Sequence, residues 1–188
     1  MSDLTELFGR SADLFDERVR AVGDDQWDNG TPCTEWSVQD LVNHLTNECL
    51  WIPPLMGGQT IEEVGDRFDG DCLGDDPVGS WADAVAGARA AASETGALDR
   101  TVNLSFGNVP GHVYIGQVFT DLLVHSWDLA RGIGFDEALP RDLMEVAYEG
   151  AKGYEKELRD SGLFGDKVEV APGASFQEEF LGFFGRRS

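Results

Sequence analysis

His125 lies in the apolar run TDLLVHSWDLARG, four residues after Asp121 and three before Asp128. A charge buried without a partner costs several kcal/mol, on the order of the whole stability of a small domain, so these groups need partners. On a helix turning about 100° per residue, Asp121 and His125 lie about 40° apart and project into one space, with Asp128 close in angle to Asp121. The run SVQDLVNHLTNECLWI places His44 beside an apolar stripe of Leu41, Leu45 and Ile52, and Glu48 inside that stripe. Two imidazoles and a carboxylate from two packed helices suit a divalent metal with coordination positions left open. Glu48 and Asp128 suit the task of orienting imidazoles or accepting a proton. A metal-free, hydrogen-bonded Asp–His pair accounts for the same spacing, and a DxxxH pattern alone does not separate the two. His112 falls about 180° from Asp121 around the helix, which leaves it a capping or solvent-facing role.

These residues need helices to position them. Leu4, Leu7, Phe8, Leu14, Phe15, Val19 and Val22 recur at three and four, an amphipathic helix ending near Gly23. The connector DDQWDNGTPCTEW is rich in turn residues. Ser37, with Asp40 three residues on, starts the helix of His44, which Pro53-Pro54 should kink or end. A short helix over Thr60–Arg67 precedes the acidic stretch FDGDCLGDDP, whose spacing fits no EF-hand loop and reads as a solvated turn. An alanine-rich helix opens at Ser80 and stops at Gly96. LDRTVNLSFGNVPG is a short β-excursion or an extended crossover. Pro110 starts the central helix, about 112–132, closed by Gly132 and Gly134, and Pro140 opens another, about 140–160, closed by Gly162. PGASFQEEFLGFFGRR spaces its phenylalanines as a short helix that docks on the core. The sum is an all-α helix bundle, the architecture in which facing helices build metal and cofactor sites. It forms a single domain over residues 1–188, with a docked tail from about 163 to 188.

The 35 acidic residues against 14 basic give a net charge of −21, which argues against nucleic acid or an anionic membrane as partner. No run approaches the roughly 20 apolar residues of a membrane span, and MSDLTELFGR lacks the layout of a signal peptide, so a cytoplasmic protein is expected. Cys33, Cys49 and Cys72 form no CxxC pair, and a disulfide framework is not expected. Trp36 and Trp127 are expected to pack in the core. Cys33 precedes a helix, where a thiol can be activated, but a buried supporting role accounts for it equally and it is not assigned as a nucleophile. Arg131 pairs locally with Asp128 or meets an anionic ligand, the local pair being the simpler assignment.

Four stretches, TPCTEWSVQDLVNHLTNE, GALDRTVNLSFGNVPG, DLLVHSWDLARGIG and FGDKVEVAPGASFQEEFLGFFGR, together resemble one family. It is the actinobacterial-type metal-binding family related to the N-terminal domain of mycothiol-dependent maleylpyruvate isomerase, within the DinB/YfiT-like superfamily. The resemblance implies a DinB/YfiT-like four-helix bundle with short extra helices and a metal, zinc or nickel, in a cleft at one end. The ligands it implies are His44, Asp121 and His125. In such proteins the metal presents a low-molecular-weight thiol as thiolate, so the implied activity is a mycothiol- or similar thiol-dependent transferase or isomerase acting on an electrophilic small molecule. A non-catalytic protein of the same fold, binding a metal or a small ligand, is the alternative. Bundles of this superfamily often pair, which implies a homodimer. Asp121 stands where the isomerase has glutamate, and no counterpart is expected here of the isomerase's second domain with its substrate-binding arginine. The resemblance therefore points to the metal site more firmly than to maleylpyruvate isomerisation.

Overall fold

A computed structural model describes residues 3–153, 155 and 165–188. The chain divides into two compact units, Met1–Asp136 and Glu137–Ser188.

In the first unit four long helices make the bundle: α1 (Leu4–Val19), α2 (Val38–Met56), α4 (Pro77–Ala92) and α5 (Gly111–Ile133). Each packs on two of the others, α2 on α4 and α5, and α1 on α5 and α4. The short α3 (Ile61–Val64) lies between α2 and α4 in the chain. Phe8 and Phe15 of α1, Leu41, Leu45 and Ile52 of α2, Trp81 of α4 and Leu122 and Trp127 of α5 are fully buried. Each large apolar side chain so buried contributes about 1.5–3 kcal/mol. Trp81 meets the edge of Phe15 with ring centroids 4.9 Å apart and donates its indole N–H to Asp16 at 3.0 Å.

The starts of these helices follow from their caps. Ser37 accepts from the Asp40 amide while the Asp40 carboxylate accepts from the Ser37 amide, a complete capping box that fixes the first turn of α2. Pro53 and Pro54 sit in the last turn of α2 and the helix ends at Met56, one turn later than the prolines alone suggested. α4 begins at Pro77, not Ser80, because Asp76 caps it by accepting from the Gly79 amide and proline suits the first helical position. The acidic stretch is turn structure: Asp71 accepts from the amides of Leu73 and Gly74. The crossover is the β-excursion, an antiparallel hairpin of β1 (Thr101–Leu104) and β2 (Gly107–Pro110) in register Thr101 to Pro110, preceded by a 3-10 turn at Ala97–Asp99.

α5 closes at Gly134, whose φ of 70° places it in the left-handed region that favours glycine. Gly132 is inside the helix and serves a different purpose: a Cβ there would lie 3.1 Å from Val38 and 3.3 Å from Thr31, so the bare backbone lets the 24–37 loop approach. Every residue of α5 from Leu122 to Ala130 is buried.

The second unit contains α6 (Arg141–Lys152) and α7 (Phe176–Phe183), the latter capped by a Ser175–Glu178 box. The Tyr148 ring meets Phe176 and Phe183 edge-on at 5.9 and 5.0 Å, and Gln177 ties the Leu139 amide and the Glu137 carbonyl. The expected extension of α6 to residue 160 and its stop at Gly162 lie outside the described residues. Among the described residues no helix is long and apolar enough to cross a membrane, and Cys33, Cys49 and Cys72 are free thiols.

Candidate metal centre

His44 stands nearly two turns into α2, and Asp121 and His125 sit one turn apart on α5, so the packing of α2 on α5 brings the three together. His44 Nε2 lies 3.0 Å from Asp121 Oδ2, and His125 Nε2 lies 3.4 Å from Asp121 Oδ1. One donor atom from each of the three falls within 4.8 Å of the other two. The two imidazole rings meet edge-on at 5.3 Å. His44 and Asp121 keep 29% and 20% of their side-chain exposure, so the group is reachable from one edge, while the His125 side chain keeps only 6%.

Behind His125, Asp128 Oδ2 lies 2.8 Å from Nδ1 and is itself wholly buried. The same oxygen accepts from the Cys33 thiol at 3.5 Å, and that sulfur is 3.9 Å from His125 Nδ1. With Nδ1 held by Asp128, it is Nε2 that faces His44 and Asp121.

The electrostatics favour positive charge at this point. Burial opposes ionisation of Asp121, but the neighbouring His125 and hydrogen bonds with His125 and His44 outweigh it and hold the carboxyl well below its usual range. Burial likewise opposes protonation of His125. Asp121 and the hydrogen bonds to Asp121, Asp128 and Cys33 overcome it and push the imidazole well above its ordinary value. A field that holds a proton on a buried imidazole also favours a cation in the proton's place. The donor set of two imidazoles and one carboxylate fits a borderline dication.

Glu48, one turn beyond His44, feels Asp121 through its charge. Burial first and then Asp121 raise its carboxyl, partly offset by His44 and His125. The Arg131 guanidinium lies over the Trp127 ring at 4.7 Å. His112 is exposed, with Nδ1 3.3 Å from the Leu98 carbonyl, away from the cluster.

Trp127 is buried as expected, but Trp36 is not a core residue. Its half-exposed ring lies 4.8 Å from the His44 ring and 5.8 Å from the His125 ring, making a wall of the site. Trp36 precedes the Ser37 cap and belongs to a loop that folds back over α5. No periodicity marks such a residue. The only local signal is the helix cap that follows it.

A family model described as mycothiol maleylpyruvate isomerase N-terminal domain matches residues 8–130, which span α1 to nearly the end of α5 and include every member of the cluster. The chain belongs to this family. Two uncharacterised proteins of Mycobacterium tuberculosis, from strains CDC 1551 / Oshkosh and ATCC 25618 / H37Rv, are each 33% identical over 138 residues, covering 71% of this chain and 69% of theirs. A crystal structure of a histidine-to-alanine mutant of mycothiol-dependent maleylpyruvate isomerase superposes with a TM-score of 0.60 at 15% identity, over 76% of this chain. The match covers 65% of that isomerase chain, just under two thirds of its length. At this identity the likeness shows the fold, a DinB-like helix bundle.

Proposed function

We propose that the protein holds a divalent cation, zinc or nickel, on His44, Asp121 and His125, and that it activates a low-molecular-weight thiol of the mycothiol type for transfer to, or isomerisation of, an electrophilic small molecule. The observation that carries this reading is the convergence of two imidazole nitrogens and a carboxylate at a partly exposed edge, with donor atoms within 4.8 Å of one another. Membership of a family whose isomerase relatives are mycothiol-dependent supports the choice of thiol.

A dication in this set would supply the Lewis acidity that lowers the pKa of a thiol. The chain's own groups prepare the place. Asp128 accepts a hydrogen bond from the Nδ1–H of His125 at 2.8 Å and so fixes its tautomer. His44 and Asp121 complete the set from the open edge. Two neutral imidazoles and one carboxylate leave one positive charge of a dication uncancelled, and an anionic sulfur matches that remainder. Three protein ligands are the pattern of a catalytic rather than a structural site. Trp36 presents its ring beside both imidazoles and excludes water from that side. Glu48, with its carboxyl raised by burial, is assigned to receive the thiol's proton.

Elemental analysis of the purified protein should find about one equivalent of zinc or nickel, lost in His125→Ala. The loaded protein should consume mycothiol in the presence of at least one member of a panel of epoxides, activated alkenes and alkyl halides. A metal-free protein that folds equally well would overturn the site. Full loading with no turnover across the panel would reduce the reading to a metal-binding protein.

A further inference from the structure

His125 presents its two ring nitrogens to two different groups of ligand atoms. Nε2 faces His44 and Asp121, while Nδ1 faces Cys33 and Asp128. The second group also gathers one donor atom from each residue within 4.8 Å. We propose that Cys33, His125 and Asp128 form a second metal site, one that takes a thiophilic dication such as zinc or cadmium.

The separations fit such an ion. Tetrahedral zinc, with bonds of about 2.3 Å to sulfur and about 2.0 Å to nitrogen and oxygen, spaces its ligands about 3.3–3.5 Å apart. Cys33 Sγ is 3.5 Å from Asp128 Oδ2 and 3.9 Å from His125 Nδ1. The Nδ1 to Oδ2 distance, 2.8 Å, has to open by about half an ångström to admit the ion. Charge fits as well: a thiolate and a carboxylate cancel a dication, which a buried pair such as His125 and Asp128 requires. The first group leaves one charge over. A thiolate ligand selects soft metals, whereas the first group offers only nitrogen and oxygen. Cys33 is half-buried and provides the way in.

The shared imidazole couples the two sites. A neutral ring has one lone pair, so an ion on Nδ1 sends the ring proton to Nε2, where Asp121 Oδ1 at 3.4 Å accepts it. That tautomer withdraws His125 from the first group. A thiophilic ion bound by Cys33 therefore opposes loading of the open site, a consequence that rests on the function proposed above; the second site itself does not.

Cobalt(II) distinguishes the two groups, because only thiolate ligation gives a strong near-ultraviolet charge-transfer band. His44→Ala should bind about one equivalent of cobalt with that band, and adding Cys33→Ser should abolish it. Cys33→Ser alone should bind cobalt with visible ligand-field bands only. In the unaltered protein, cadmium should slow iodoacetamide alkylation of Cys33 by about tenfold or more, with half-buried Cys72 as the internal control. No charge-transfer band in folded His44→Ala, together with an alkylation rate at Cys33 indifferent to cadmium, overturns the second site and leaves Cys33 a hydrogen-bond donor to Asp128. If His44→Ala shows the band while Cys33→Ser binds no cobalt, the second site stands and the open site of the proposed function falls. The reverse result keeps the open site alone.

Discussion

α5 and the 24–37 loop both supply groups to the surroundings of His125, yet they are held by different means. α5 runs 23 residues from Gly111 to Ile133, and its ladder of backbone hydrogen bonds fixes Asp121, His125 and Asp128 relative to one another. The loop has only a short ladder, with the Thr31 amide donating to the Trp36 carbonyl at 3.2 Å and the Val38 amide to the Asn29 carbonyl at 2.8 Å. Asn29 Nδ2 donates to the Gly132 carbonyl at 3.1 Å and Gln26 Nε2 to the Ile133 carbonyl at 3.0 Å. Those are carbonyls of the last turn of α5, which no intrahelical donor satisfies. Thr31 then closes the loop on itself by donating its hydroxyl to the Trp36 carbonyl at 3.0 Å. The donor set thus stands on a long helical frame, while Cys33 and Trp36 hang on that short ladder, on a turn in which the Trp36 amide donates to the Cys33 carbonyl at 2.8 Å, and on these side-chain hydrogen bonds. Mutations should separate the two regions.

The largest effect is expected where they meet, at Asp128, whose Oδ2 serves both His125 and Cys33. Asp128→Ala leaves a buried imidazole nitrogen without its carboxylate and should cost about 3 kcal/mol of unfolding free energy in urea titration. Metal affinity should fall about 10- to 100-fold. Cys33→Ser, which changes only the loop's donor, should cost less than about 1 kcal/mol. Equal costs for the two variants would mean that frame and loop are not mechanically distinct.

A smaller effect is expected at Gly132, where α5 lets the loop approach. Alanine there gains about 1 kcal/mol of helix propensity over glycine. Its methyl group meets Val38 at 3.1 Å and Thr31 at 3.3 Å, a crowding that costs about 1–3 kcal/mol. The net should be a loss of up to about 2 kcal/mol, and the loop should lift. The Trp36 contribution to fluorescence, isolated by subtracting a Trp36→Phe background, should shift to the red while metal binding persists. An unshifted Trp36 would show that the loop is held without the close approach at Gly132.

This contrast also explains what could be read from the sequence. The spacing of apolar residues placed Asp121 and His125 together, because the helical repeat converts sequence distance into angle, and Ser37 with Asp40 marked the start of α2. The facing of His44 toward Asp121 needed only that α2 and α5 pack. Trp36 was misplaced in the core because its position depends on Asn29 and Gln26 reaching carbonyls more than a hundred residues later in the chain. No period encodes such a contact. The start of α4 differs from expectation for a smaller reason: Asp76-Pro77 is a good cap and first residue, but Asp76 reads equally as one more carboxylate of the turn FDGDCLGDDP.

The weakest of these effects lies at the joint between loop and α2. Asp40 Oδ2 accepts from the Ser37 amide at 2.9 Å and from its hydroxyl at 2.6 Å, and these bonds lower the carboxyl from its ordinary value of 3.8. A group with a depressed folded pKa stabilises the fold above its unfolded value, and the contribution disappears as pH falls through the folded one. Ser37→Ala, which removes the side-chain acceptor at the start of α2, should cost about 1 kcal/mol at neutral pH. Asp40→Asn should cost less, and its difference from the unaltered protein should fade as pH falls through the depressed folded value of the carboxyl, below 3.8. Because His44 stands beyond the first turn of α2, a frayed cap should leave metal affinity nearly unchanged while the Trp36 emission, one residue before Ser37, responds. A stability difference that persists at low pH would mean that the Asp40 carboxylate contributes nothing to the cap. A loss of metal affinity in Asp40→Asn would mean that the donor set leans on the loop after all.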